Sequence, residues 1–538
     1  VVVVVDQEGD STSNPVPGTL RYALEVMEGP RVVVFDFSGV ISLQGRVFIR
    51  NPHITIAGQT APGDGVVVRM APNAPSGGPL IQVETHDVII RYLQLRRGEN
   101  NKPDNADNIS VRDGADRVIL DQMSLTWASD ECVEFYALNE GKLLQNVTLQ
   151  NSLVGEGLVE DSAQAQAMGM LISGNKTQGL ELWKNVQQIS VHRNLFVNNM
   201  HRNPRVAAYD VQIINNVIYN WHSRAGSTLR GAIIDWIQNM FKAGPYSNTT
   251  KPVLYHDSTG TSGEFAFEDT PSIYIDGNTA PGHPIEGSLE ADNWNMIRDH
   301  YLPNNPPLPL EWRRDAPLAG PYFAVQLQDL DVELLRERVT HVGANARLNC
   351  DGTWKALFHD VDERLRGDVL LGLGPGSSSE MPTSVSELEG YSDDYVSKLC
   401  PDQDQDGMPD VWEDAHSLNK FVSLDSGLDL DGDGYTNLEE YLNGTPPSEI
   451  SDDDHVQSLF MAYEGVGAGQ IVAVPLPLRW ATTGGSAVYF SEQTITVTAR
   501  AAPGSVFHSW TKGPCSGSSE PSCLVTMSAN KLVKARFD

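Results

Sequence analysis

The sequence predicts an all-β chain whose larger part is a parallel β-solenoid, and three observations carry that reading. Short apolar strands recur at Val32 to Phe35, Ile54 to Ile56, Val88 to Ile90, Val118 to Leu120, Val147 to Leu149, Ile189 to Val191 and Val211 to Ile214. From Ile54 onward their starts lie 34, 30, 29, 42 and 22 residues apart, close to one solenoid coil each. The stretches 118–125, 147–153 and 189–195 then echo one another as strand, polar pair and second short strand. Asn151, Asn194 and Asn216 fall at the bend, where stacked amides can bond from coil to coil. No long helical period interrupts the series, which disfavours alternating βαβ units. A two-sheet sandwich would show hairpin signals about every 8–12 residues, and these are scarce.

In chain order, Pro17-Gly18 leads into Thr19 to Leu24, a short amphipathic helix suited to capping the open end of a strand stack. The strands follow. Residues 284–345, rich in Pro, Asp and Trp, are expected to wrap over the solenoid rather than extend it. Residues 373–384 have the Gly/Pro/Ser composition of a linker. Beyond them Asp402, Asp404, Asp406, Asp410 and Glu413 stand at positions 1, 3, 5, 9 and 12 of an EF-hand-like loop with Gly407 at position 6. Asp429, Asp431, Asp433, Asn437 and Glu440 repeat the pattern around Gly434, 27 residues later. Two matches in register point to Ca²⁺, with a structural role in so small a module. The last stretch alternates in strand fashion, and its Trp510 reads as core more readily than as an exposed binding residue. The expected division is a solenoid over 1–372, a linker over 373–398, a calcium module over 399–447 and a small β module over 461–538.

Composition bounds the function. Formal net charge is −32, from 38 Lys+Arg against 70 Asp+Glu, which argues against a nucleic-acid partner. An anionic substrate therefore needs a local cationic site. No run of 18 apolar residues occurs, so no membrane span is expected. Val1 to Val5 is strand-length and follows no basic n-region; the expectation is an exported, mature, monomeric chain. Of the cysteines, Cys515 and Cys523 bracket a short loop and are expected to pair, Cys350 and Cys400 are the other candidate pair, and Cys132 is left as a small buried hydrophobe.

The chemistry concentrates between residues 105 and 205. Asp107, Asp130 and Glu134 supply hard oxygen ligands of the kind Ca²⁺ takes. Arg202 and Arg205 supply guanidinium groups suited to carboxylates. An acidic cluster and an arginine cluster on one scaffold suit an enzyme acting on an anionic substrate. In such a substrate, loss of a proton beside a carboxylate leaves a charge that a nearby cation stabilises. An arginine accepts that proton only where other cations disfavour its charged form.

Several stretches, taken in order, resemble the pectate lyase family (polysaccharide lyase family 1): Pro17 to Leu24, Ile54 to Gly63, Asp107 to Ser110, Ile119 to Leu125, Asp130-Glu131, His192 to Phe196, Arg202 to Arg205, Phe241 to Pro245 and Tyr274 to Asn278. The resemblance covers about residues 6–370. It implies a right-handed parallel β-helix and Ca²⁺-dependent β-elimination of pectate or a related acidic polysaccharide. Asp107, Asp130 and Glu134 would then hold the metal, Arg202 would be the base, and Arg205 would hold the substrate carboxylate. Asp121 and His192 are taken as substrate-binding, and as the next candidates for proton transfer. Gln122 stands where the family has a His, and the stretch 151–170, where a substrate-binding Lys is expected, contains neither Lys nor His. Two other classes stay open at this stage. One is a glycoside hydrolase recruiting Asp107, Asp121 and Asp130; the other is a non-catalytic glycan-binding solenoid.

Overall fold

The computed structural model describes residues 1–538 apart from 76, 100–106, 160–166, 178–179, 223, 258–269, 282–291, 301, 303, 319–334, 336–337, 389–390, 392–394, 398–399, 433, 449–455, 468, 475–478, 481–485, 491–493, 503 and 529–530. Two compact units result, one of residues 1–318 with 330–424 and one of 319–329 with 425–538. Among the described residues no helix is long and apolar enough to cross a membrane.

The first unit is a right-handed parallel β-helix built from three sheets. One coil runs through Ile109–Arg112 in the second sheet, Asp116–Asp121 in the first and Ser124–Thr126 in the third. The next coil repeats this as Glu131–Ala137, Leu144–Gln150 and Leu153–Gly155. Each strand pairs in parallel with its counterpart one coil away, so identical strand positions stack. Val88, Val118, Val147, Ile189, Val211 and Ile234 form one such row, all buried inside the solenoid. Alternation along a strand then forces the intervening residues outward. The seven recurring strands read from the sequence all belong to the first sheet, and the second short strand of each echo belongs to the third.

The corners explain the rest of the repeat. His53, Asp87, Arg117, Asn146, Gln188 and Asp210 open successive first-sheet strands with φ between 52 and 58°. Tyr92, Gln122, Asn151, Arg193, Asn215 and Gln238 follow the ends of those strands with φ from 49 to 57°. Left-handed backbone is costly for non-glycine residues, and here the same turn recurs in register. Beside the second corner runs an asparagine ladder: Asn194 donates Nδ2–H to Asn216 Oδ1 at 3.0 Å, Asn216 to Asn239 at 3.0 Å, Asn239 to Asn278 at 2.9 Å and Asn278 to Asn293 at 2.9 Å. Asn151 does not join it. Asn151 occupies the left-handed position and donates to Asp121 at 2.8 Å, while Ser152 takes the ladder place with its N–H on Asn194 Oδ1 at 2.9 Å.

At the N-terminal end one helical turn, Tyr22–Val26, closes the solenoid, with Leu20, Ala23 and Leu24 in the main core. Arg21 is buried and fixed to Asp10, Glu25 and the carbonyls of Gly45 and Arg46. At the other end the expectation for 284–345 needs correction. In its described part Ile297–Asp299 pairs in parallel with Leu254–Asp257 and so extends the second sheet. Trp294, Met296 and Ile297 are buried there and cover the end of the interior.

The helix Asp360–Leu371 was not read from the sequence. Its Val361, Leu365 and Val369 pack on Leu195, Val197, Val217 and Tyr219 of the third sheet. Gly372, at φ 74°, ends it in the left-handed conformation that glycine adopts without strain. The stretch read as a linker, 373–398, is strapped to the solenoid wherever it is described. Tyr219 Oη bonds the Leu373 carbonyl at 2.6 Å, Asn220 Nδ2 bonds that of Pro375 at 3.0 Å, and Tyr391 Oη bonds that of Arg96 at 3.0 Å. Met381 and Val385 are buried within it; its composition is linker-like, but these two apolar side chains have a surface to cover. Cys350 and Cys400 are joined, with Cα atoms 5.5 Å apart, and Cys132 is free and buried.

The second unit holds the helix Asn437–Asn443, started by a capping box between Thr436 and Glu439. Strands over 456–537 form sheets of five and three strands around Leu459, Ile495, Val497, Trp510, Val525, Val533 and Phe537. Trp510 is fully buried and its Nε1–H reaches the Glu520 carbonyl at 3.0 Å, so it is core. Cys515 and Cys523 are bonded, with Cα atoms 6.0 Å apart.

Candidate active site

The site residues sit on the second sheet and on the corner that enters it from the third. Strand register stacks Gln82, Ser110, Glu134, Leu171, Arg205, Ser227 and Tyr255 as one outward row. Coil spacing of about 4.8 Å makes neighbours in that row interact. Asp107, Asp130, Arg202 and Arg224 precede their strands at this corner. Acidic residues thus occupy the earlier coils and basic residues the later ones.

Asp107, Asp130 and Glu131 each offer an oxygen, all within 4.8 Å of one another. Glu131, which the sequence reading did not name, belongs to this group. Glu134, three residues further along the strand, stays beside the group, close enough for the Asp130 charge to raise its pKa. Glu134 accepts from Ser110 Oγ at 2.8 Å and pairs with Arg112, while staying close enough to Asp107 to raise its pKa. Burial pushes the Asp107 carboxyl well above its ordinary range, and the charges of Glu134 and Asp130 push further. Burial likewise raises Asp130 against the pull of Arg202, Arg97 and Arg112, and raises Glu134 against Arg112 and Ser110. Asp107 Oδ2 is buried and receives no hydrogen bond, while Oδ1 takes the Glu131 N–H at 3.1 Å. Converging, desolvated carboxylates with an unbonded oxygen suit a hard divalent cation.

Arg202 follows two strand intervals later, with Met168–Gly174 between. It holds φ 61°, a conformation a bulky residue keeps only when its surroundings enforce it. Its carbonyl accepts the Met170 N–H at 2.6 Å. A Cβ on Gly169 would lie 2.6 Å from that carbonyl oxygen, so glycine is required for the approach. The guanidinium pairs with Glu131. Burial pulls its pKa down to about 10, with Arg205 and Arg224 lowering it further and Asp130 opposing. Arg205 forms an ion pair with Asp257 at 2.7 Å and Arg224 lies 3.8 Å from the other oxygen of the same carboxylate. His201, pulled down to about 4 by burial and by the two arginines, is neutral beside them. Arg224 was not singled out in the sequence because it belongs to no motif; only its place at the corner, one coil beyond Arg202, exposes it.

Asp121 and His192 are not brought to this place. Both end first-sheet strands, Asp121 opposite Gln150 and Gln150 opposite His192. Asp121 pairs with Arg91 at 3.0 Å and accepts from Gln150 at 3.1 Å. His192 is buried, which pulls its pKa down to about 3. The hydrolase set of Asp107, Asp121 and Asp130 is therefore not assembled, and Gln122 is a left-handed corner residue of the first sheet. Residues 160–166, within the stretch where the lysine was expected, lie outside the described residues.

The first C-terminal loop brings Asp404, Asp406 and Glu413 within reach of a common ion. Asp402 accepts the Gly407 N–H at 3.0 Å, and Gly407 has φ 95°. Asp410 is turned to Gln403, which donates twice, at 2.9 and 2.8 Å. Glu413 is fully buried at the loop's last position. In the second loop Asp429 accepts from Gly432 and Gly434 at 2.7 and 2.9 Å, Asn437 donates to the Asp425 carbonyl at 2.8 Å, and Glu440 is fully buried. Asp431 is partly exposed, and Asp433 lies outside the described residues.

Comparison with known proteins gives three results. Residues 481–538 match the family model of the divergent InlB B-repeat domain. The chain is 32% identical over 451 residues to "Probable pectate lyase C" of Neosartorya fischeri, covering 83% of this chain and 90% of that protein. It is 27% identical over 457 residues to the protein of the same name from Aspergillus flavus, covering 84% and 90%. Among solved structures it matches a Bacillus sp. N165 pectate lyase in complex with trigalacturonate at 16% identity and TM-score 0.34, covering 63% of this chain and 93% of that one.

Proposed function

The chain belongs to the pectate lyase family, and from that premise we propose that it cleaves pectate or a closely related polyuronate by β-elimination with Ca²⁺ at Asp107, Asp130 and Glu131. The observation that carries the reading is the juxtaposition of that carboxylate group with Arg202, whose pKa is lowered by burial and by Arg205 and Arg224. Glu134 flanks the metal group and Arg112 orients it. When bound, Ca²⁺ supplies positive charge beside the uronate carboxylate, where negative charge develops. Arg205 and Arg224 hold a second carboxylate of the polymer, with Asp257 fixing both guanidiniums. Arg202 takes the C5 proton, the C4–O bond to the leaving sugar breaks, the C4–C5 double bond forms, and the departing oxygen is protonated from solvent. The positive row Arg202, Arg205 and Arg224 reverses, locally, the field of a chain with net charge −32.

We also read residues 399–447 as a calcium-binding module, with Asp402, Asp404, Asp406 and Glu413 in the first loop and Asp429, Asp431, Asp433, Asn437 and Glu440 in the second. The buried position-12 glutamates support this, since a buried carboxylate needs a cation or a proton. Two disulfides support action outside the cell. The test is incubation with polygalacturonate and with methyl-esterified pectin, with Ca²⁺ or with chelator, following the ultraviolet absorbance of unsaturated uronate. Ca²⁺-dependent unsaturated product is the expected result. Saturated reducing ends without that absorbance would mean a hydrolase, and release of nothing would end the catalytic reading.

A further inference from the structure

Far from the chemistry in sequence, the corner that opens the first sheet carries a set of nitrogen and oxygen ligands of a different character. His53 and Asp87 occupy the same left-handed position in consecutive coils, because Ile54 pairs with Val88. His86 immediately precedes Asp87. The Nδ1 atoms of both imidazoles converge on one oxygen, Asp87 Oδ2, at 2.6 Å from His86 and 3.5 Å from His53. The rings meet edge to face with centroids 5.4 Å apart. One ligand atom from each of the three residues lies within 4.8 Å of the other two. From the next coil Arg117 Nε holds the other oxygen, Oδ1, at 2.6 Å.

We propose that His53, His86 and Asp87 bind a divalent transition ion of the Zn²⁺ type, separate from the oxygen sites read as Ca²⁺ sites. Two imidazole nitrogens and one carboxylate oxygen suit Zn²⁺ or Cu²⁺ and do not suit Ca²⁺, which takes oxygen ligands. Binding at Nδ1 replaces the contact between His86 and Asp87 Oδ2, and the proton of the neutral imidazole then resides on Nε2. Arg117 keeps its bond to Oδ1 and orients the carboxylate, as an outer partner of a metal ligand does. It gives up the second contact it makes to Oδ2, at 2.8 Å. Both histidines are about half exposed, at 52% and 43%, so an ion and a completing water can enter. The bound ion would staple one coil to the next near the start of the solenoid.

The experiment uses the full chain with excess Ca²⁺ present, so that the oxygen sites are filled, and titrates Zn²⁺ alone by calorimetry and equilibrium dialysis. It compares wild type with the double variant His53→Asn/His86→Gln; Asn is chosen because it tolerates the left-handed backbone at 53. Co²⁺ titration, read by its visible absorption bands, repeats the comparison with a signal that reports tetrahedral nitrogen ligation. The expected result is the loss of one equivalent of bound Zn²⁺ and of the Co²⁺ bands in the variant, with the circular dichroism spectrum and lyase activity unchanged. Equal Zn²⁺ stoichiometry in the two proteins, or no Zn²⁺ uptake by wild type at micromolar concentrations, overturns the proposal.

Discussion

At the corner between the first and third sheets, each buried asparagine of the ladder gives its Nδ2–H to the next coil, and Asn216, Asn239 and Asn278 each receive one from the coil before. At the corner between the third and second sheets, buried carboxylates face one another, and Asp107 Oδ2 receives nothing. Both corners belong to the same winding and both bury polar atoms. The first satisfies them within the protein and so adds rigidity. The second leaves them to be satisfied by something that is not protein. Where a solenoid repeats faithfully it is maintaining itself, and where the repeat breaks into charge it has room for a ligand.

The sharpest way to break the comparison is at Arg202. Arg202→Ala is expected to lower turnover by about 10²–10⁴-fold, the usual contribution of a positioned acid–base group. Metal and oligogalacturonate binding should persist in calorimetry, and added Ca²⁺ should restore nothing. The pH profile carries the same information. A base whose pKa is drawn down to about 10 is increasingly neutral as pH rises toward that value, so wild-type activity should climb from neutrality into the alkaline range. A variant that keeps more than about a tenth of wild-type turnover would place the base elsewhere.

Asp130→Ala comes next. Removing one oxygen from the metal group should raise the Ca²⁺ needed for half-maximal activity by about 10–100-fold, as ligand charge count sets affinity over such ranges. Asp107, Glu131 and Glu134 remain, so activity should recover in part at high Ca²⁺. The ion itself has a stability consequence with a definite sign. Asp107, Asp130 and Glu134 have raised pKa values in the folded protein, so the native state binds more protons than the unfolded chain above the ordinary carboxylate range. Metal-free protein should therefore lose stability as pH rises through that window, and Ca²⁺ should abolish the loss; thermal melts with and without chelator measure both.

How much of this was legible in the sequence follows from the same contrast. The first-sheet strands were readable because their rows, such as Val118 and Val147, alternate cleanly between interior and surface. The second sheet was not, because its outward row of Ser110, Glu134, Leu171 and Arg205 is chosen for chemistry and has no common pattern. Asp107, Asp130, Arg202 and Arg205 were found by residue type and motif. Glu131 required knowing that the strand begins at 131, and Arg224 required the coil register. Asp121 and His192 looked functional because they lie beside motif residues, yet their strand ends stack on the other corner. The helix Asp360–Leu371 is polar on most of its surface, and only the third sheet beneath it shows why it forms.

From the other side, Asn216→Ala should break the ladder without touching chemistry. It removes the acceptor of the Asn194 backbone N–H and of one Asn194 Nδ2–H, and takes one of two donors from the Asn239 carbonyl. The expected cost is about 1–3 kcal/mol, the penalty of a buried unsatisfied polar group, seen as a lower denaturation midpoint in urea. Turnover per folded molecule should stay within about twofold, because Asn216 lies at the end of a first-sheet strand, away from the corner of Arg202 and Arg224.

The smallest effect is expected at the first calcium loop, where the two behaviours meet in one element. Asp406 is buried and already accepts the Met408 N–H at 2.9 Å, so part of its role is the internal kind seen in the ladder. Glu413 is fully buried at the loop's last position, where it would grip an ion, and that is the external kind. The loop also has a covalent anchor, because Cys400, two residues before Asp402, is bonded to Cys350. Trp412 in the following helix Asp410–His416 closes over Gly352, where a Cβ would come within 2.7 Å of the indole. Asp406→Ala should therefore abolish Ca²⁺ binding by the loop but only loosen the segment, with a change in Trp412 fluorescence on Ca²⁺ addition lost and pectate cleavage within about twofold of wild type. Reduction of the Cys350–Cys400 bond on top of the substitution should let residues 400–416 exchange their amide protons freely. If Asp406→Ala alone removed activity while the solenoid stayed folded, the loop would belong to the catalytic machinery, and the division between self-satisfied and ligand-satisfied regions would have to be redrawn around it.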